Sequence, residues 1–305
     1  KEVLLEWQGL GYYSRARNLY KAARRIVDEH DGVFPDTVDG LAELPGIGPY
    51  TARAVASMAF GQSVGILEAN TIRFYSRLIE LADDPKSTAG NRLLWEFADW
   101  IVAPRSASPF NQAAMDIGST ICTPEDPSCD TCPVQQYCCS FRSGRQQEIP
   151  RLTPKKKMTD VTEVALVLCR GRSVLMRQYE EGERWAGLWD FARFSVSAAD
   201  GDQLKSLPSS GTERQPSLFA DESTQLAERV AEQQTGLRIA DPVLMRQIRH
   251  TVTRYRIRML CVQSTNIRGR LRQTTGFQWQ SMAQLTTLPL STTARTIAKQ
   301  LLDDS

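Results

Sequence analysis

Cys122, Cys129, Cys132 and Cys138 follow one another with six, two and five residues between them. Four thiolates that close along a chain can surround one metal centre. Soft sulfur donors hold zinc in a tetrahedron or carry an iron-sulfur cluster, and the spacing alone fits both. Of the other cysteines, Cys139 adjoins the group while Cys169 and Cys261 stand far from it. An odd total of 7, one tight group and no signal-peptide pattern after Lys1 predict a reducing, cytoplasmic setting and a metal site, not secretion and disulfides.

A second group is the run Leu44, Pro45, Gly46, Ile47, Gly48, Pro49, Tyr50, Thr51, Ala52. Glycine permits a tight turn and a close backbone approach, and free amides at the start of a following helix bind a phosphate without reading sequence. Gly46, Gly48 and Thr51 are therefore the expected phosphate contacts. Taken alone, the run also fits an ordinary helix-helix turn.

The elements that must hold these groups change type along the chain. From Leu4 to about Ser140, apolar residues recur at helical spacing, as in Ala22, Ile26 and Val27 or Ala52, Val55, Ala56 and Ala59. Residues 141 to 160 contain Pro150, Pro154 and the run Lys155, Lys156, Lys157 with few large apolar side chains, and read as a basic linker. Beyond it the pattern becomes β-rich: Val161 to Cys169, Ser173 to Gln178 and Arg254 to Gln263. Helices are expected at Ser223 to Gln234 and Thr292 to Leu302, and a polar loop at Ser195 to Gln215. The 305 residues thus divide into an all-α domain (1–140), a linker (141–160) and an α+β domain (161–305).

Composition excludes more than it identifies. A hydrophobic fraction of 41% and a charged fraction of 24% are ordinary for a globular protein, and no apolar run is long enough to span a membrane. The formal net charge of +2 does not by itself call for a nucleic-acid partner. A monomer is expected.

The cysteine spacing at the end of a helical domain resembles the 4Fe-4S loop of the endonuclease III and MutY glycosylases. With the glycine run and Gly9, Leu10, Gly11, Tyr12, Tyr13, Ser14, Arg15, Ala16, Arg17, the resemblance to helix-hairpin-helix glycosylases covers nearly the whole first half. It implies that the four cysteines carry a 4Fe-4S cluster. In this family the loop from Cys122 to Cys129 leans on DNA phosphates, but here it carries Glu125 and Asp126 and no Lys or Arg. Where glycosylase-lyases have a Schiff-base lysine this chain has Tyr50, which implies hydrolytic base removal without strong lyase activity. The run Gly65, Ile66, Leu67, Glu68, Ala69, Asn70, Thr71, Ile72, Arg73 matches the segment where MutY proteins have a catalytic Asp followed by Gly and Asn. Glu68 is then the carboxylate that stabilises the sugar cation, displaced by one methylene, with Tyr50 and Asn70 assisting. The acid that protonates the departing adenine is a Glu upstream of the segment matching Lys1 to Tyr20, and the chain reads as lacking that N-terminal part.

Trp185, Ala186, Gly187, Leu188, Trp189, Asp190, Phe191 resembles the nudix-like domain of MutY. The metal-binding glutamates of a nudix hydrolase are Gln233 and Gln234 here, which disfavours pyrophosphate hydrolysis. The MutY loop that reads 8-oxoguanine falls on His250, Thr251, Val252, Thr253 and Arg254, so His250, Thr251, Thr253 and Arg254 are the expected lesion contacts. The family reading implies a multidomain adenine DNA glycosylase: a helix-hairpin-helix domain with a 4Fe-4S loop plus a nudix-like α+β domain. Its partner is double-stranded DNA with A:8-oxoguanine or A:G mispairs. The alternative is a catalytically weak lesion-binding protein of the same fold.

Overall fold

The computed structural model describes residues 2–103, 105–153, 157–209, 222–272 and 276–303. Lys155 and Lys156 of the basic run and residues 210–215 of the expected polar loop lie outside the described residues. Contacts divide the chain into two compact units, one formed by Asn18–Lys155 and the other by Lys1–Arg17 with Lys156–Ser305.

The helices of the first part are α1 (Glu2–Glu6), α2 (Tyr13–Glu29), α3 (Val38–Ala42), α4 (Pro49–Phe60), α5 (Ala69–Leu78), α6 (Thr88–Ile101), α7 (Ala107–Asp116) and α8 (Cys139–Arg142). Two apolar clusters organise the Asn18–Lys155 unit. Ala22 and Ile26 of α2 close on Leu41, Leu44, Ala52 and Ala56 around the α3–α4 hairpin. Phe74, Tyr75 and Leu78 of α5 pack with Leu94 and Ala98 of α6, Ala114 of α7 and Cys122. Polar caps start the helices where the sequence supplies them. Thr37 accepts from the Gly40 amide before α3, and Ser87 from the Gly90 amide before α6.

The other unit centres on a six-stranded sheet in the order β5-β6-β1-β3-β2-β8. Its strands are β1 (Thr159–Arg170), β2 (Ser173–Gln178), β3 (Trp189–Val196), β5 (Val243–Val252), β6 (Tyr255–Ser264) and β8 (Phe277–Ser281), and a separate ribbon pairs β4 (Leu237–Ala240) with β7 (Asn266–Gly269). Its helices are α9 (Ala198–Leu204), α10 (Glu222–Thr235) and α11 (Thr292–Asp303). β1 runs parallel to β6 and antiparallel to β3. Because side chains alternate, β1 serves both faces. Ala165, Val167 and Cys169 join Ile297 and Leu301 of α11. Val164, Leu166 and Leu168 join Leu204 of α9 and Leu226 and Ala227 of α10.

Three expectations change. The segment 195–204 is the end of β3 followed by α9, where Ser197 caps the helix and Leu204 is buried, so an apolar anchor holds what a polar composition marked as loop. The segment after residue 140 is packed through Thr153. Arg145 pairs with Glu80 at 2.7 Å, the Ile149 carbonyl accepts from Arg77 at 2.8 Å, and the Thr153 amide donates to Asp84 at 2.9 Å. The first residues also differ from the expected division. Gln8 Nε2 donates to the Leu288 carbonyl at 2.8 Å and Arg17 Nη1 to the Ala186 carbonyl at 3.0 Å.

Candidate active site and cysteine loop

Glu68 sits at the N-cap of α5 in extended backbone. Its Oε1 accepts from the amides of Asn70 at 2.8 Å and Thr71 at 3.0 Å, while Thr71 Oγ1 accepts from the Glu68 amide at 2.8 Å. This reciprocal cap fixes the carboxylate against the positive end of the helix, where negative charge is stabilised. Both amides use one oxygen. The half-buried Tyr50 lies within the field of that carboxylate: burial, then the charge on Glu68, pushes its phenol up, so the hydroxyl keeps its proton.

The Asn70 side chain is taken up by Arg73. Its Oδ1 accepts from Arg73 Nη2 at 3.0 Å; Arg73 also donates to the Gly118 carbonyl and, through Nε, to the Cys122 carbonyl at 2.7 Å. A side chain on Gly118 would meet the Asn70 Cβ and carbonyl oxygen at 2.8 Å, so close approach of the two segments requires glycine there. Arg73 thus joins the start of α5 to the cysteine loop.

One turn farther along α5, Arg77 is 2% exposed. It donates to the carbonyls of Ile149 at 2.8 Å, Thr123 at 2.7 Å and Pro124 at 3.0 Å, and its Nη1 lies 3.3 Å from Cys122 Sγ. Cys122, Cys129, Cys132 and Cys138 line one narrow cavity together with Phe74, Arg77, Val134 and Phe141. Among the described residues, no group of three His, Cys, Asp or Glu side chains is arranged to hold a metal ion. The chemistry of the donor set still suits a cationic centre. Burial and then the charge of the neighbouring sulfurs push the Cys129 thiol up, so four thiolates would need positive charge among them. Neither Arg73 nor Arg77 was singled out in the sequence. The available signal is two arginines four apart in a helix rich in apolar and aromatic neighbours, Ile72, Phe74, Tyr75 and Leu78.

The hairpin carries the third group. Gly46 has φ 81°, and a Cβ there would lie 2.5 Å from that of Asn18. Gly48 is the extended N-cap of α4 with Pro49 after it and no capping side chain, so the first free amides are those of Tyr50 and Thr51.

The expected lesion contacts lie in the other unit, apart in the chain from these three groups. Val252 pairs with Tyr255, which makes Thr253 and Arg254 the two-residue turn between β5 and β6. A cleft of about 570 Å³ is lined by Leu10 to Ser14, Trp185, Arg193, His250 to Thr253 and Ser291 to Thr293. His250 Nε2 faces Arg193 Nη2 at 3.1 Å; a guanidinium only donates, so Nε2 accepts. Burial and Arg193 hold the imidazole below its usual range and keep it neutral. Arg193 is itself clamped by Glu163, and lies 4.8 Å from the Trp185 ring. Arg254 is exposed and leans on the Tyr255 ring, donating to its hydroxyl at 3.1 Å.

The hairpin region, residues 29–57, matches the family model of the helix-hairpin-helix motif. A human adenine DNA glycosylase is 42% identical over 166 residues, 54% of this chain and 30% of the relative. One from Buchnera aphidicola subsp. Schizaphis graminum is 31% identical over 204 residues, 67% of this chain and 59% of the relative. Over these stretches the chain is similar to adenine DNA glycosylases. It spans about a third of the mammalian relatives' length and a little over half of the Buchnera ones. Among solved structures, a trapped endonuclease III–DNA covalent intermediate is similar at 25% identity, TM-score 0.41, over 47% of this chain and 66% of that one. The helix-hairpin-helix match falls within the helical unit, and the other unit is built on a mixed sheet.

Proposed function

We propose that the protein is a monofunctional adenine DNA glycosylase acting in base excision repair on adenine opposite 8-oxoguanine or guanine. The observation that carries this is the carboxylate of Glu68, held at a helix start beside Tyr50 and directly after the hairpin. Hydrolysis of an N-glycosidic bond develops positive charge on the sugar; a fixed, preorganised anion lowers that barrier. The target base is turned out of the stack to reach such a group. Tyr50 contributes a protonated hydroxyl and a ring face, and no amine that would trap the sugar as a Schiff base. Asn70 and Arg73 position the start of α5. Gly46, Gly48 and Thr51 hold a phosphate at the N-terminus of α4. Cys122, Cys129, Cys132 and Cys138 would hold a 4Fe-4S cluster, which would supply a cationic core fixing the loop, while Arg77 braces the carbonyls around it. The cleft at His250, Thr251 and Thr253 receives the lesion-bearing strand, with the exposed Arg254 beside it.

Glu68→Gln tests the reading. It keeps an acceptor for the α5 amides and removes the charge, so single-turnover adenine release from an A:8-oxoguanine duplex should fall at least a hundredfold, about 3 kcal/mol in barrier, with duplex binding retained. The full-length protein carries the test. Unchanged release would remove Glu68 from the mechanism, and tight lesion binding without release in the parent protein would favour the lesion-binding alternative.

A further inference from the structure

The β4–β7 ribbon carries charge that neither the glycosylase centre nor the lesion cleft uses. Leu237 and Ile239 of β4 turn inward to the core beneath α10, and Ile267 of β7 packs against the same cluster. The alternate positions face outward, and there Arg238 stands directly across from Arg268. Arg270, one residue past the end of β7, is also exposed. Like charges directly opposite on a ribbon repel, and a protein that only needed to blunt an exposed edge could do so with mixed signs.

The acids nearby do not balance the row. Glu232, at the end of α10, pairs with Arg238 at 2.8 Å, and Asp241 lies at the far end of the ribbon beside Asn266. Among the described residues, no acidic partner is found for Arg268 or Arg270. After the exposed Glu232, the end of α10 carries the uncharged, exposed Gln233 and Gln234, and the Gln233 carbonyl accepts from Arg272 at 2.9 Å. A solvated, rigidly backed row of three guanidiniums, of which Arg238 is paired with Glu232, keeps net positive charge beside neutral amides and fits an anion that brings several charges at regular spacing.

We propose that the outer face of this ribbon, Arg238 and Arg268, together with Arg270 just past its end, binds the phosphate backbone of duplex DNA as a contact surface independent of the lesion. The inference rests on DNA being the protein's partner, and not on the chemistry at Glu68. Guanidinium groups pair with phosphate oxygens in a fixed fork geometry, and backbone contacts add affinity and register without reading bases. Each phosphate neutralised releases condensed counterions, so the contact has a measurable salt signature.

The experiment compares the full-length protein with Arg238→Gln/Arg268→Gln/Arg270→Gln and with the corresponding triple Lys variant, titrating each with lesion-containing and undamaged duplex across a salt series. Three lost phosphate contacts should make the slope of log K against log salt shallower by about 2.7 in the Gln variant. The loss should be equal on both duplexes, and the Lys variant should keep most of the slope. An unchanged slope would overturn the proposal, as would a loss confined to lesion-containing duplex. Unchanged duplex binding with lost retention on polyglutamate would assign the surface to an acidic protein and overturn it as well. Single-turnover adenine release at saturating enzyme, measured on the same variants, separates the two readings: a changed slope in a protein that releases no adenine leaves this surface standing and removes the glycosylase.

Discussion

At Thr253 the backbone has φ 54°, a left-handed conformation that a β-branched residue adopts at a cost. The turn is two residues long, so the right-handed twist of β5 and β6 demands that conformation, where Asn or Gly would meet it without strain. Strained residues persist where a site needs their side chains, and Thr253 lines the cleft with His250 and Thr251. Thr253→Asn should therefore stabilise the protein by about 1 kcal/mol, seen as a higher urea midpoint, while lowering the preference for A:8-oxoguanine over A:G. A stabilised variant with full preference would show that the hydroxyl reads nothing. Glu68 teaches a related lesson. Its capping of α5 and its proposed chemistry are one arrangement, because the amides that satisfy the helix start also hold the carboxylate still.

The hairpin between α3 and α4 shows what an element requires. The chain reverses over Leu44 to Gly48, with the Ile47 amide donating to the Leu44 carbonyl at 3.1 Å, and Gly46 takes the left-handed position against Asn18. Any Cβ at Gly46 is penalised twice, by φ and by collision. Gly46→Ala should destabilise the helical unit by upwards of about 1–2 kcal/mol, read as a lower urea midpoint, and weaken binding to undamaged and damaged duplex alike. Gly48 is different: a Cβ there meets nothing within 4 Å, so its value lies in the open amides that follow. The helix α5 works as a brace. Arg73 and Arg77 leave it on the side of the cysteine loop and satisfy carbonyls of Gly118, Cys122, Thr123, Pro124 and Ile149, groups that burial would otherwise leave unpaired.

Across the whole molecule, the sheet unit pays for its cleft with a buried charge network. Asp190 is fully buried, and burial pushes its carboxyl up to about 6, against the pull of Arg193, the Ser291 hydroxyl and the Phe191 amide. The folded state then holds this proton more tightly than the unfolded chain, whose Asp titrates near 3.9. Stability from this group is complete below about 4 and is lost as pH rises through about 6. Thermal unfolding of the wild type should accordingly show a fall in midpoint between pH 4 and pH 6 that Asp190→Asn removes; parallel profiles for the two proteins would show that folding does not raise the Asp190 carboxyl. The sequence by itself determined the alternation of β6, the periodicity of the helices, the glycine turn and the cysteine spacing, since each depends on residues adjacent in the chain. It also placed α10 and α11 nearly to the residue, because their apolar stripes are continuous. Tertiary structure decided what joins distant segments: Arg73 and Arg77 on the cysteine loop, Arg193 behind His250, the opposed arginines of β4 and β7, and the packing of residues 141–153 that composition marked as linker. Those arrangements follow from unpaired carbonyls and buried charges finding partners across long sequence separations, and local patterns carry no record of which partner that will be.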